Sequence, residues 1–108
     1  MIVIVAKYLI PKGFLGFTVY PFVLVASGKH KTDDVLINHE RIHLRQQSEL
    51  LVLPFFVWYF LEFLVRVIRY RDRKKAYFNI SFEREAYANE TDFGYLESRS
   101  LWRFLKYL

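Results

Sequence analysis

The sequence contains no cysteine. That absence excludes a disulfide framework and any thiolate metal ligand. Proline occurs three times and glycine four times. Neither gathers into a repeat, a low-complexity tract or a linker able to divide the chain, so residues 1–108 are expected to form a single domain with a modest core. No apolar run is long enough to span a bilayer. Leu50 to Leu61, LLVLPFFVWYFL, is unbroken, but a span takes roughly 20 apolar residues, and extension to Ile68 admits Glu62 and Arg66. The N-terminal MIVIVAKYLIPKGF lacks a basic start and is interrupted by Pro11 and Gly13. It does not read as a signal peptide, and the cytoplasm is the expected location.

Apolar and aromatic residues are plentiful, at 54% and 19% of the chain. A core of this size fills with few such rings, so some are expected at the surface, facing a partner, a groove or a membrane. The formal charge is +5, and Arg66, Arg69, Arg71, Arg73, Lys74 and Lys75 crowd together in RVIRYRDRKKAY. Such a cluster either closes a helix, where cations suit the C-terminus, or meets phosphate on a lipid headgroup or a nucleic acid. No nucleic-acid-binding motif accompanies the charge, so no nucleic acid partner is expected.

Residues 2–10 and 14–26 are rich in β-branched and aromatic residues and read as strands, with turn chemistry in PKGF between them. Pro21 cannot donate to a ladder and marks an edge or a bulge. Thr32, followed by Asp33 and Asp34, makes a helix start. The spacing predicts helices over about 33–53, broken or kinked at Pro54, then 55–70 and 81–92, with a short closing helix in SRSLWRFLKYL. The expected fold is α+β: a small N-terminal antiparallel sheet or hairpin followed by about four α-helices.

The chemistry gathers in INHERIHLRQQ. His39 and His43 stand four apart, slightly more than one helical turn, and point the same way, flanked by Val35, Leu36 and Ile42. Two inward imidazoles repel if charged and cost desolvation if unpaired, and a shared cation removes both problems. Stacked so, they can hold one Zn²⁺ at roughly 2.0–2.1 Å. Glu40 is rotated about 100° from His39. It cannot ligate the same ion but can act on water at the ion's open side, which is the physical content of the HExxH pattern. A catalytic zinc site usually takes a third protein ligand. His30, the remaining histidine, lies in the preceding loop, and the other candidates are Glu83, Glu85 and Glu90 in SFEREAYANE. Gln46 and Gln47, farther along the first helix, are placed either to hydrogen-bond into the site or to form a polar collar between helices.

HERIH with EREAY resembles the gluzincin metallopeptidases, which carry HExxH on one helix and a glutamate ligand on a later one. Most of the chain also resembles a group of small, functionally uncharacterised bacterial zincin-like proteins. The resemblance implies Glu83 as the third ligand, with Glu85 as the alternative, and Ala86 packed against the helix of the histidines. It implies that a peptide substrate lies along the strand preceding that helix. Tyr87 stands where the family usually has the aspartate that orients the first histidine, so that role must fall elsewhere. Arg41 is a charge where such peptidases usually have none.

The function expected is a minimal zinc-dependent metallohydrolase, a metallopeptidase acting on a peptide or protein substrate. His39, His43 and Glu83 would hold Zn²⁺, Glu40 would serve as general base for zinc-activated water, and Tyr87 or Arg41 would assist as donors. The alternative is a non-catalytic protein of the same fold that attaches to a membrane or a partner through Phe55, Phe56, Trp58, Tyr59 and the basic cluster. Burial of those four rings by the later helices separates the two.

Overall fold

The structure, a computed structural model, describes residues 1–10 and 13–108; Pro11 and Lys12 of the expected PKGF turn lie outside the described residues. Three short strands, β1 (Ile2–Val5), β2 (Gly16–Val19) and β3 (Phe22–Val25), form one sheet in the order β1-β3-β2. β2 and β3 make the expected antiparallel hairpin, joined at Tyr20 and Pro21 by a cis peptide bond. β1 pairs with β3 in parallel, so the sheet is mixed rather than purely antiparallel. Side-chain alternation tells faces apart but carries no strand direction, which is why sequence pattern did not reveal this pairing. Thr18, Val23 and Val25 are buried on the inward face, while Ile2, Ile4, Phe17 and Phe22 stay exposed on the other.

Five α-helices follow: α1 (Asp34–Leu50), α2 (Val52–Tyr70), α3 (Arg73–Phe78), α4 (Ser81–Asn89) and α5 (Tyr95–Ser98). Three 3-10 turns, Lys7–Leu9, Gly28–Thr32 and Arg103–Tyr107, complete the described elements. The cap of α1 is Asp33, whose side chain accepts from the Leu36 amide at 3.2 Å; Thr32 instead donates to the Lys29 carbonyl. The break before α2 falls at Leu51, with φ of 66°, and α1 and α2 meet at 110°. Pro54 sits inside the first turn of α2, where a missing N–H leaves no bond unmade.

The basic stretch is not a plain connector: Asp72 accepts from the amides of Lys74 and Lys75 and starts α3. The expected closing helix is the 3-10 turn Arg103–Tyr107, entered through Trp102 at φ of 56°. Further apart in the chain, Glu62 of α2 receives the Ser81 amide at 2.6 Å and the Ser81 hydroxyl at 2.7 Å. It thereby caps α4, which has no side-chain cap of its own, and fixes where that helix begins.

The core packs Phe55, Ile80, Phe82 and Phe104, with Leu50, Phe56, Trp58, Tyr59 and Phe63 against it. Phe55 is buried, and Phe56, Trp58 and Tyr59 are half-buried beside Phe82 and Phe104. The four rings of the attachment reading are therefore mostly interior. Exposed aromatic and aliphatic side chains do occur elsewhere on α2 and around the sheet, and they fit contact with a membrane surface or a protein. Among the described residues no single helix is long and apolar enough to cross a membrane.

Candidate metal centre

α1 buries an unusual face. Asn38, His39, Glu40, His43, Gln46 and Gln47 are all buried, with Ile42 the one apolar member. Each polar group must therefore find a partner inside. Gln47 grips the hairpin: its amide donates to the Thr18 carbonyl at 2.8 Å, and its oxygen accepts from the Tyr20 amide at 2.7 Å. Asn38 donates to the carbonyls of Asn89, Glu90 and Asp92, at 3.3, 2.9 and 3.1 Å. It satisfies the end of α4, where carbonyls lack partners in the helix, and docks that end on α1.

α4 carries Glu83 to the histidines. His39 Nε2, His43 Nε2 and Glu83 Oε1 form a nearly equilateral triangle with sides of 3.1, 3.0 and 3.2 Å. An ion held tetrahedrally at zinc–nitrogen distances separates its ligands by about 3.3 Å. The triangle already has close to that size, and the three residues form a buried cluster able to chelate a metal ion.

The outer hydrogen bonds fix which atoms face the centre. Gln46 uses its amide as a double donor, to Phe82 O and Glu85 Oε1, so its oxygen must accept from His43 Nδ1–H at 2.8 Å. Glu90 Oε2, a carboxylate oxygen, likewise accepts from His39 Nδ1–H at 2.9 Å. Neutral imidazoles so held turn their Nε2 lone pairs inward. Tyr59 donates to Glu83 Oε2 at 2.6 Å, leaving Oε1 for the triangle. Two lone pairs and a carboxylate oxygen thus converge, and the arrangement requires positive charge at its centre. A proton can bridge one side, whereas a divalent ion satisfies all three. The donor set therefore fits a metal.

The same demand appears in the titration of the metal-free groups. Burial acts to lower the His43 pKa, but the charge and hydrogen bond of Glu83 outweigh it and raise it from 6.5 to about 9. Burial acts to raise Glu83, and His43 with His39 outweighs it, holding the carboxyl well below the usual range.

Glu40 stands beside the triangle. Its Oε2 accepts from Thr18 Oγ1 of β2. A Cβ on Gly16 would stand 3.1 Å from Glu40 Oε1, so any side chain there would press the carboxylate a few tenths of an ångström out of its place. Two cavities flank this carboxylate. One, of about 510 Å³, runs between Phe14, Phe17, Phe56, Phe60, Phe63 and Tyr77 and also meets His43 and Glu83. The other, about 330 Å³, adjoins His39, Tyr87 and Glu90.

The triad with nearby Glu40 matches the gluzincin arrangement of HExxH and a downstream glutamate, the geometry expected of a zinc-dependent hydrolytic site. No family model, curated protein or solved structure matches the chain.

Other sequence candidates fall outside the triangle. Glu85 points away from it, into a buried ion pair with Arg99 that Tyr95 and Gln46 complete. His30 lies in the 3-10 turn before α1. Arg41 is exposed. Tyr87 packs edge-on against His39, ring centres 4.4 Å apart, and its hydroxyl pairs with that of Tyr77 at 3.0 Å. The orienting acid for His39 is Glu90, seven residues after Glu83. That two-turn spacing was a signal available in the sequence. Tyr59, Thr18 and Gly16 carried none, because their roles exist only once α2 and β2 are docked on α1.

The strand preceding α1 also differs from expectation. It is β3, the central strand, and it offers no edge. The free edge near Glu40 belongs to β2.

Proposed function

We propose that this protein is a zinc-dependent metallopeptidase, with His39, His43 and Glu83 as the ligands and Glu40 as the general base. The observation that carries the reading is the 3.0–3.2 Å triangle of two imidazole nitrogens and a carboxylate oxygen beside a buried carboxylate in an open cavity. Bound zinc would polarise the substrate carbonyl and bring the pKa of water toward neutrality.

The chain's own residues divide the remaining work. Gln46 and Glu90 hold the two imidazole tautomers, and Tyr59 keeps Glu83 in one orientation. Glu40, steadied by Thr18, takes a proton from water and passes it to the leaving amine. Tyr77 lines both cavities. Its hydroxyl and that of Tyr87 share one hydrogen bond, so the pair retains one O–H for a developing oxyanion. The Gly16 backbone and the Thr18 amide on the outer edge of β2 offer a peptide a short edge to pair with, the Thr18 carbonyl being held by Gln47. The aromatic cavity suits a large apolar side chain next to the cleaved bond.

The test is metal analysis of the wild type, His43→Ala, Glu83→Ala and Glu85→Gln, with peptide hydrolysis by wild type and Glu40→Gln. One zinc per chain is expected in the wild type and Glu85→Gln, and none in the two alanine variants. Glu40→Gln should keep its zinc and lose roughly 10²–10⁴-fold in rate. A wild type that takes up no zinc would sink the proposal.

A further inference from the structure

α2 has a second face that the site does not use. Leu53, Val57, Phe60, Leu61, Leu64, Val65 and Ile68 recur at helical spacing, and every one is exposed, from 40% at Leu64 to 77% at Ile68. At 1.5 Å per residue the stripe is about 22 Å long. A helix surface facing water normally alternates such positions with charge, but the charges of α2 before Arg69, Glu62 and Arg66, are half-buried beside the stripe and paired with each other. Leu53, Val57, Leu61 and Val65 of the stripe line an open groove with Pro54, Trp58, Leu108 and the paired Glu62 and Arg66. Beyond its C-terminal end stand Arg69, Arg71, Arg73, Lys74 and Lys75, all exposed. The one acid among them, Asp72, is turned onto the amides that start α3.

We propose that this face seats the protein on an anionic lipid bilayer, the stripe entering the interface and the five cations meeting headgroup phosphates. Charge decides between a bilayer and a second copy of the chain. Two α2 helices packed antiparallel would set each basic end against the partner's Leu51–Pro54 turn, which holds no acid. Packed parallel, they would bring two basic ends together. The lone acid of α2, Glu62, is already bonded to Ser81 and Arg66. A second copy therefore leaves the cations unmatched, whereas anionic headgroups match them beside apolar depth for the stripe. The stripe meets the aromatic cavity at Phe60, which belongs to both. Seating is independent of the metal, because no ligand lies on this face.

Flotation with phosphatidylcholine vesicles, with and without phosphatidylglycerol, tests it. The wild-type protein and its His43→Ala variant should both float with the anionic vesicles, and raising salt from about 0.1 to 0.5 M should weaken binding several-fold. Val65→Ser with Ile68→Ser should abolish flotation. Arg71→Gln with Lys74→Gln, at exposed positions, should weaken it at low salt and make what remains less sensitive to salt. Wild-type protein that stays with the soluble fraction in every vesicle mixture would overturn the proposal. So would a dimer in solution that the Val65 and Ile68 substitutions dissociate, since that would assign the face to a second copy.

Discussion

α1 and α2 are consecutive, similar in length, and inverted with respect to each other. α1 turns histidine, glutamate, asparagine and glutamine inward and buries them. α2 buries Phe55 alone and leaves seven large apolar residues in solvent along one side. Either helix read singly breaks the rule that apolar residues go inside. Read together they separate two uses of a violation. Buried polarity with every group partnered belongs to a site, because desolvation is tolerated only where hydrogen bonds or an ion replace water. Exposed apolarity with nothing over it belongs to a contact surface. The inversion can be probed from either helix.

The largest effect is expected where one buried cation serves two carboxylates. Arg99 donates to both Glu85 and Glu49 and is itself almost out of solvent. Arg99→Met would leave two carboxylates facing each other without a cation. The cost should be about 3–5 kcal/mol of folding stability, read from urea unfolding. A much smaller loss would mean that the buried face of α1 is wetter than its partners imply.

A second probe is pH. The folded-state pKa of His43, about 9, lies above the ordinary 6.5. In metal-stripped protein its stabilising pairing with Glu83 is therefore fully present below about pH 6.5 and is lost as pH rises through about 9. The loss should be about 3 kcal/mol, seen as a falling Tm over that window and absent in His43→Gln. Metal must displace the same proton. Zinc affinity should thus rise by about tenfold per pH unit and level off near pH 9. A flat affinity profile would disconnect the histidine from the ion.

The outer hydrogen bonds give a smaller and more local effect. Glu90 is partly exposed, so Glu90→Ala can be made without opening the core. It frees His39 Nδ1 and the ring's orientation, and zinc affinity should fall roughly 10–100-fold with little change in unfolding. Titration against a competing chelator measures it. No change would mean that Tyr87, packed on the same ring, holds His39 unaided.

Most of the site's inner layer was legible because it is local. His39, Glu40 and His43 lie on one turn, and the resemblance supplied Glu83 over Glu85. The distinction has a physical origin in the structure. Glu62 caps α4 at Ser81, and that start sets Glu83 toward α1 and Glu85 toward Arg99. A cap supplied by a different helix leaves no mark in SFEREAY itself. The direction of β1 and the inward turn of Tyr59 were hidden for the same reason: both depend on packing between distant segments. The apolar run of α2 was legible in composition but not in orientation. Its aromatic members mostly went inward and its aliphatic ones outward, because Phe82 and Phe104 supply rings to stack on.

The smallest effect is the one that sharpens the comparison most. Ile68 is 77% exposed, so it gains little from the fold. Ile68→Ser should change unfolding free energy by no more than about 0.5 kcal/mol, and metal affinity not at all, since the side chain is remote from every group of the triangle. Removing a large apolar residue from an ordinary helix face would not be so cheap. If urea unfolding instead showed a loss of about 2 kcal/mol, the size expected for an aliphatic side chain buried in a core, then α2 would already be covered in the protein as purified. The two helices would then differ only in what they bury.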